Sequence, residues 1–118
     1  MLQFYFHLYI KDVVELYIRI AEFLEKDKKT FLGQIFNAGS NSPQTVKEIL
    51  EYVYTFIGEI DEYHNILQNM QNKYTVGEID CQFMDYEKVK NYFGWKPQHS
   101  FNDGILKTVD WYKRYLRD

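Results

Sequence analysis

The last third of the chain constrains its fold most, because it combines four local signals in a fixed order. Residues 78–84 are predicted to form a strand, and residues 86–92 a short helix that stops at the glycine following it. Pro97 then breaks the chain after a Gly-Trp-x-Pro corner. Ser100, with Asp103 three residues later, is typical of the start of a capped terminal helix. Strand, helix, corner and helix together predict an α/β ending.

Propensity and periodicity predict the elements that come before. Residues 4–10 and 34–37 favour short strands. A Thr-x-x-Glu capping box at Thr45 opens a helix that Gly58 is expected to end. Residues 59–77 are polar with a thin apolar stripe, which predicts a loop plus a possible short helix. The predicted fold class is α/β, with a few short strands and three or four helices.

The first predicted helix is apolar on two sides. Asp12 is expected to cap its first turn by accepting backbone N–H bonds, and the helix should run to about Lys26, with a loop over residues 26–31. Its apolar side chains form one stripe of Val14, Tyr17, Ile18 and Ala21, and a second of Val13, Leu16, Ile20, Phe23 and Leu24. Such a helix needs cover on more than one side. It is therefore a candidate surface for a partner chain or for a homo-oligomer.

Composition excludes several classes of protein. A length of 118 residues predicts one domain, and a net charge of −3 argues against a dedicated nucleic-acid-binding protein. The single cysteine, Cys81, cannot form an internal disulfide, and a reduced thiol suits a cytoplasmic protein. Three histidines without ligand spacing predict no metal site. The apolar opening, residues 1–10, is too short to span a bilayer, and no membrane association is expected.

The order of these motifs resembles a known family. Tyr9-Ile10-x-Asp12-Val13, the run 36–40, Thr45-Val46-x-Glu48, Asp85-x-x-Lys88 and Gly94-Trp95-x-Pro97 resemble, in family order, the substrate lobe of the extended short-chain dehydrogenase/reductases. This is the NAD-dependent epimerase/dehydratase family. The motifs look closest to those of nucleotide-diphosphate-sugar 4,6-dehydratases of the CDP-glucose or GDP-mannose type.

The resemblance implies a function for the lobe. Residues 1–118 would be a single partial domain, the C-terminal substrate-binding lobe, without the Rossmann domain that holds NAD in the complete enzyme. The implied ligand is a nucleotide-diphosphate sugar, and the implied partner is a Rossmann-domain chain. The chain is then expected to be a truncated or split piece that binds no cofactor and has no catalytic activity of its own. The alternative is a stand-alone, non-catalytic module for protein interaction or self-association.

The resemblance also implies three substrate-binding residues. Glu78 matches a glutamate that meets the nucleotide, and a carboxylate can accept hydrogen bonds from ribose hydroxyls. Its alternative reading is a solvated carboxylate at the end of a strand. Asn37 and Gln82 are weaker candidates, and Asn37 could instead hold the turn that follows it. Trp95 is expected to pack at a corner rather than to contact a ligand.

The chain departs from the family pattern in two respects. It lacks the arginines expected to bind the diphosphate, and it lacks the cofactor and catalytic motifs. Two arginines that would hold the diphosphate are replaced by Tyr5 and Thr75. The Gly-rich turn that dinucleotide binding requires is absent from the sequence. Tyr86-x-x-x-Lys90 has the spacing of the catalytic pair but falls in the family's ending segment, so we predict no catalytic residue.

Overall fold

The computed structural model describes residues 4–5, 7–70 and 84–117, and this part of the chain is mostly helical. It contains the strands β1 (Phe4–Tyr5) and β2 (Gln44–Thr45) and the helices α1 (Ile10–Lys26), α2 (Lys28–Phe31), α3 (Val46–Ile57), α4 (Ile60–Met70), α5 (Glu87–Phe93) and α6 (Phe101–Tyr115). Helices were expected to share the fold with several strands. In the described residues, the helices dominate.

Within the described residues, the two strands are shorter than expected. β1 and β2 pair antiparallel, with Phe4 opposite Thr45 and Tyr5 opposite Gln44. The predicted strand at residues 34–37 is wrong, since these residues form no strand. Instead the segment is tied to α5: the Lys88 ammonium donates to the Ile35 carbonyl at 2.7 Å. The strand predicted at residues 78–84 lies outside the described residues, apart from Met84, which is not in a strand.

α3 begins and ends where the sequence predicts. The Thr45 hydroxyl accepts the Glu48 N–H at 3.1 Å, and the Glu48 carboxylate accepts the Thr45 N–H at 2.7 Å. The helix ends at Gly58, whose φ is +84°. The capping box satisfies two N–H groups that have no partner within the helix, which confirms the predicted start.

Helices occupy the segment 26–31, which was predicted to be a loop, and the segment 59–77, which was predicted to be a loop with a possible short helix. Asp27 caps α2 inside the predicted 26–31 loop, because its carboxylate accepts the Thr30 N–H and hydroxyl. The donated Thr30 hydroxyl lowers the pKa of Asp27 below its ordinary value. α4 occupies most of the described part of the 59–77 segment, and Tyr63 from α4 is buried. Burial, helped by the nearby Glu51 carboxylate, raises the pKa of Tyr63.

The main core lies between α1, α5 and the Gly-Trp-x-Pro corner. Leu16, Val89, Phe93 and Trp95 are buried there. Phe23 meets Phe93 edge to face, with ring centroids 5.3 Å apart, a geometry that aromatic pairs prefer. This is the second of the two apolar stripes predicted for α1. The described residues therefore cover one side of α1 with a small aromatic core.

The described part of the chain leaves the outer side of α1 uncovered. Ile10, Val14, Tyr17 and Ile18 are 64%, 48%, 70% and 54% exposed. The chain is flat, with extents of 54 × 39 × 20 Å, so its short dimension holds about two layers of helices. Its radius of gyration is 17.9 Å, larger than the roughly 13.5 Å expected of a compact domain of this length.

Gly39 is the glycine whose lack of a side chain matters most. A Cβ at this position would lie 1.6 Å from the Met84 carbonyl oxygen, so the segment before β2 and the start of the last third are in backbone contact. By contrast, a Cβ at Gly33 would meet no atom within 4 Å, although its φ is +77°. Gly39 is therefore required by the close approach of the Met84 backbone, and Gly33 is favoured by its left-handed backbone conformation.

We predict that Gly39→Ala lowers the free energy of unfolding by about 2–3 kcal/mol, because either backbone must move to accept the methyl group. Gly33→Ala is the control and should cost about 1 kcal/mol, since only its left-handed conformation is penalised. Urea unfolding followed by tryptophan fluorescence measures both. Equal losses in the two variants would contradict the close approach.

The capping box also predicts a pH dependence. The hydrogen bonds donated by the Thr45 N–H and hydroxyl lower the pKa of Glu48 below its ordinary value of 4.5. A lowered pKa in the folded state stabilises the protein above pH 4.5, and this contribution is lost as the pH falls through the folded value.

Glu48→Gln keeps an acceptor but removes the titration. We expect the variant to unfold at lower urea than the parent at pH 7, with the difference shrinking toward pH 3. Glu59→Gln, an exposed change one residue beyond Gly58, is the control and should show no such trend. A difference for Glu48→Gln that does not change with pH would count against this role of the carboxylate.

Candidate functional site

Asp12 joins the start of α1 to the start of α6. Its side chain is only 2% exposed. One carboxylate oxygen, Oδ2, accepts the backbone N–H groups of Gln98 and His99 at 3.2 and 3.1 Å. The other, Oδ1, lies 2.7 Å from His99 Nδ1. The prediction that Asp12 caps the first turn of α1 is therefore wrong: α1 begins at Ile10, and the carboxylate binds the backbone that leads into α6.

The corner at Trp95 completes this junction. The Trp95 side chain is 1% exposed, and its indole Nε1–H donates to the Asp12 carbonyl at 3.0 Å. Gly94 ends α5 with a φ of +64°, which turns the chain so that Trp95 faces α1. The expected packing role of Trp95 is confirmed. We call the cluster of Asp12, Trp95 and His99 the Asp12 junction.

His99 links the junction to the surface. Because the Asp12 carboxylate accepts, Nδ1 of His99 carries the hydrogen, which leaves Nε2 on the outer side of the ring, 3.9 Å from Asp103. The ring also packs on Tyr9, with centroids 4.7 Å apart. The Ser100 hydroxyl caps α6 by accepting the Asp103 N–H at 3.2 Å. The Asp12–His99 pair therefore holds the ring next to the start of α6.

A groove of about 610 Å³ opens beside the junction, between residues 7–11 and α6. Ile10 and Trp111 are its exposed apolar walls. Its polar groups include Lys11, His99 and Lys107. Lys107 is held by Asp103 at 2.7 Å. An apolar groove of this size with a few polar groups suits a small organic ligand or a segment of another protein.

A second cavity of about 300 Å³ lies on the other side of His99 and is more polar. Ser40, Ser42, Tyr86 and Gln98 bring hydroxyl and amide groups to it. His7 lines both cavities, and its partial burial lowers the pKa of its imidazole. The lining therefore offers hydrogen-bond donors and acceptors of the kind that recognise sugar hydroxyls.

The predicted substrate-binding residues are not brought together by the described part of the chain. Asn37 is exposed and lines neither of these two cavities, although Ser40 from the same segment lines the smaller one. Glu78 and Gln82 lie outside the described residues, as do Cys81 and Thr75. Their roles stay predictions. The sequence did not point to His7, His99 or Ser40, because no local pattern distinguishes them from surface polar residues.

Two of the described arginines, Arg19 and Arg114, are already engaged in ion pairs. Arg19 is paired with Glu15 at 2.6 Å and also donates to the Phe93 carbonyl at 3.2 Å. Arg114 is paired with Asp110 at 3.1 Å. Neither lines the two cavities, so lysines are the cations at hand there. A lysine is a point charge and holds a diphosphate less specifically than an arginine fork.

The described ranges form neither a metal-ligand cluster nor a membrane-spanning helix. Within residues 4–5, 7–70 and 84–117, no three side chains among His, Cys, Asp and Glu are placed to hold a metal ion. The helices of the same ranges include none with the length and hydropathy needed to cross a bilayer. Tyr86 and Lys90, which have the spacing of a catalytic pair, lie at the start and middle of α5, where Lys90 is paired with Glu87 at 3.3 Å.

Comparison with known proteins identifies the relatives of this fold. The human dTDP-D-glucose 4,6-dehydratase is 30% identical over 110 residues, which are 90% of this chain and 29% of the human protein. The crystal structure of dTDP-glucose 4,6-dehydratase from Bacillus anthracis, a complex with NAD, superposes with a TM-score of 0.73 and 25% identity over 96% of this chain.

The chain belongs to the NAD-dependent epimerase/dehydratase family. UDP-glucose 4-epimerase from Thermotoga maritima shares its fold, with a TM-score of 0.70 and 20% identity over 97% of this chain. No family model matches the sequence. The chain spans about a third of the length of the family members it matches. The two dehydratases are named for dTDP-glucose, so the CDP-glucose or GDP-mannose type stays a prediction.

The contribution of the Asp12 junction to stability can be tested directly. We expect Asp12→Ala to lower the free energy of unfolding by about 3 kcal/mol, because two partly buried N–H groups and the His99 ring lose their acceptor. Asp12→Asn should cost less, since an amide oxygen can still accept. Urea unfolding at pH 7 measures both.

The control is Asp110→Asn on α6. Its carboxylate is exposed and meets only Arg114 and solvent, so the change should stay within about 0.5 kcal/mol. Similar losses in Asp12→Ala and Asp110→Asn would show that the junction contributes no more than a surface ion pair.

Proposed function

We propose that this chain is the C-terminal, substrate-binding lobe of a nucleotide-sugar dehydratase or epimerase, and that it performs no chemistry alone. The observation that carries the proposal is the extent of the match. Nine-tenths of this chain aligns with less than a third of the human dehydratase, and the fold of the bacterial enzyme covers 96% of the chain. In this proposal residues 1–118 form a single partial domain that contributes one wall of a nucleotide-sugar pocket.

The residues present do not fit NAD, which one of these relatives holds. A dinucleotide site needs a parallel strand, a Gly-rich turn and a helix whose N-terminus faces the pyrophosphate. The described strand pair is antiparallel and two residues long on each side. No Gly-rich fingerprint occurs in the sequence. NAD and the catalytic groups would therefore come from a cofactor-binding part, in the same longer polypeptide or on a partner chain.

The substrate contacts proposed for this lobe follow from the hydrogen-bonding groups of its side chains. Glu78 and Gln82 would accept and donate hydrogen bonds at the ribose and the base. Asn37 lies on the segment that also carries Ser40, which borders the polar cavity. Without the two family arginines, lysines would have to hold the diphosphate. Binding by the isolated lobe should then be weak, roughly millimolar.

A second candidate function is a stand-alone interaction module. The observation that favours it is the uncovered outer face of α1, where Tyr17 is 70% exposed. Large exposed apolar patches on a monomer mark interaction surfaces. In this reading the nucleotide-sugar contacts are lost, and the groove and helix serve only to dock protein.

The two functions make different predictions for isothermal titration. If the lobe keeps a working half-site, the purified chain should bind one of dTDP-glucose, CDP-glucose, GDP-mannose or UDP-glucose with a Kd of roughly millimolar or below. Glu78→Ala should abolish the heat of binding, because the ribose loses its acceptor. Asn37→Ala should weaken binding less.

Glu62→Ala is the matched control, since Glu62 is an exposed carboxylate on α4 that lines neither cavity. It should leave the titration unchanged. A folded chain that binds none of the four nucleotide sugars would refute the half-site and leave the interaction module. Circular dichroism of each variant confirms that loss of binding is not loss of fold.

A further inference from the structure

The segment that runs from Ile35 to Ser40 is held against α5 by one lysine. The Lys88 ammonium donates to the Ile35 carbonyl at 2.7 Å. The same ammonium lies over the Phe36 ring, 4.6 Å from its centroid, where the negative face of the ring attracts a cation. A hydrogen bond from a charged donor is stronger than one between neutral groups. Lys88 therefore holds both the backbone and a side chain of this segment.

α5 is a rigid base for this lysine. Val89, the next residue along the helix, is fully buried, and Phe93 is 3% exposed. The Phe36 ring packs on the Phe93 ring and on the Tyr92 ring, with centroids 4.8 and 5.5 Å apart. A side chain carried by a packed helix holds its position better than a side chain on a loop. The contacts that Lys88 makes are therefore anchored to the main core.

A further contact fixes the other end of the segment. Gly39 is buried, and a Cβ at this position would overlap the carbonyl oxygen of Met84, just before α5. Asn37 lies between this contact and the contacts of Lys88 with Ile35 and Phe36. Backbone that is tied on both sides of so short a stretch has few conformations open to it. The position of Asn37 therefore depends on contacts made at both ends of the segment.

We propose that Lys88 is a positioning residue for the nucleotide-sugar half-site. By holding the segment against α5, it fixes where Asn37 lies relative to the polar cavity, which Ser40 of the segment and Tyr86 beside α5 both line. Lys88 itself lines neither of the two cavities, so it acts through the segment and not on the ligand. The ligand contact of Asn37 rests on the proposed function, whereas the ordering of the segment needs no ligand.

The expected gain is a segment that is ordered before the ligand arrives. A ligand that binds a mobile segment must also immobilise it, which weakens binding by roughly three- to tenfold for each side chain that becomes ordered. Lys88 removes this cost, because the segment is already fixed when the chain has folded. Loss of the ammonium should therefore weaken binding by a similar factor.

Backbone ¹⁵N relaxation of the chain without ligand tests the ordering. The amide of Asn37 should have an order parameter of about 0.85 in the parent, typical of rigid backbone, and this should fall toward about 0.6 in Lys88→Met. Methionine keeps an unbranched stem but removes the charge and the donors. Lys88→Arg should retain the order, because a guanidinium can also donate to a carbonyl and stack on a ring.

Lys90→Met is the matched control. Lys90 is exposed on the same helix and is paired with Glu87 at 3.3 Å. The change removes the same charge from α5 and should leave the order parameter of Asn37 unchanged. An order parameter that does not fall in Lys88→Met, or that falls equally in the two variants, would overturn the inference.

Titration of the amide shifts with dTDP-glucose, CDP-glucose, GDP-mannose and UDP-glucose, each in a separate sample, tests the effect on binding. For the nucleotide sugar that binds the parent, Lys88→Met should raise the Kd roughly three- to tenfold, and Lys88→Arg should stay within about twofold of the parent. In an Asn37→Ala background, Lys88→Met should have no further effect, because the lysine acts through the asparagine. Losses that add in the double variant would contradict a positioning role.

The two measurements distinguish failure of this inference from failure of the proposed function. A folded parent that binds none of the four nucleotide sugars refutes the half-site. The order parameter of Asn37 then decides alone: a fall in Lys88→Met supports Lys88 as the residue that fixes the segment, and no fall overturns it. A parent that binds, with a Kd that Lys88→Met leaves unchanged, keeps the half-site and refutes the role of Lys88. Circular dichroism checks that every variant is folded.

Discussion

The structure depends on a buried carboxylate that binds backbone far away in the sequence. Asp12 sits in the first turn of α1, yet its oxygens bind the N–H groups of Gln98 and His99, more than eighty residues later. The Trp95 indole N–H adds a bond to the Asp12 carbonyl. A buried acceptor that satisfies several donors is costly to remove, so these bonds fix where α6 starts relative to α1. The groove and the polar cavity both border this junction.

The chain is flat because few of its helix faces are packed against another element. The buried apolar side chains of the described residues lie mainly between α1, α5 and the corner at Trp95. α6 packs on α3, where the Lys113 ammonium donates to the Phe56 carbonyl at 2.7 Å. These layers leave the outer stripe of α1 and the aromatic end of α6 exposed, including Trp111. A surface of this kind is suited to a second unit, whether that unit is another copy or the cofactor-binding part of a family enzyme.

The cavities offer only some of the groups that would be needed to bind a nucleotide sugar. The polar cavity offers hydroxyl, amide and imidazole groups that suit a sugar, while Arg19 and Arg114 are held in ion pairs and do not line it. A diphosphate needs concentrated positive charge, and the lysines near the groove supply it with less geometric order.

Local signals in the sequence were sufficient to locate the helices whose ends are capped by residues close in sequence. Thr45 and Glu48 satisfy each other, and glycines end α3 and α5, so short-range rules located these elements correctly. The same rules missed α2 and gave α4 only as a possible short helix. They also placed a strand at residues 34–37, whereas within the described residues that segment is held by Lys88 of α5. The motif order was also sufficient to indicate the family.

Tertiary structure alone decided what Asp12 does and which stripe of α1 is covered. An aspartate before an apolar helix reads as a cap, and only the approach of residues 98–99 gives its carboxylate a different set of donors. Both apolar stripes look alike in the sequence, yet only the stripe that contains Leu16 has a neighbour to pack against. His99 became part of the site for the same reason: contacts between distant residues have no local pattern, because the free energy that selects them comes from packing.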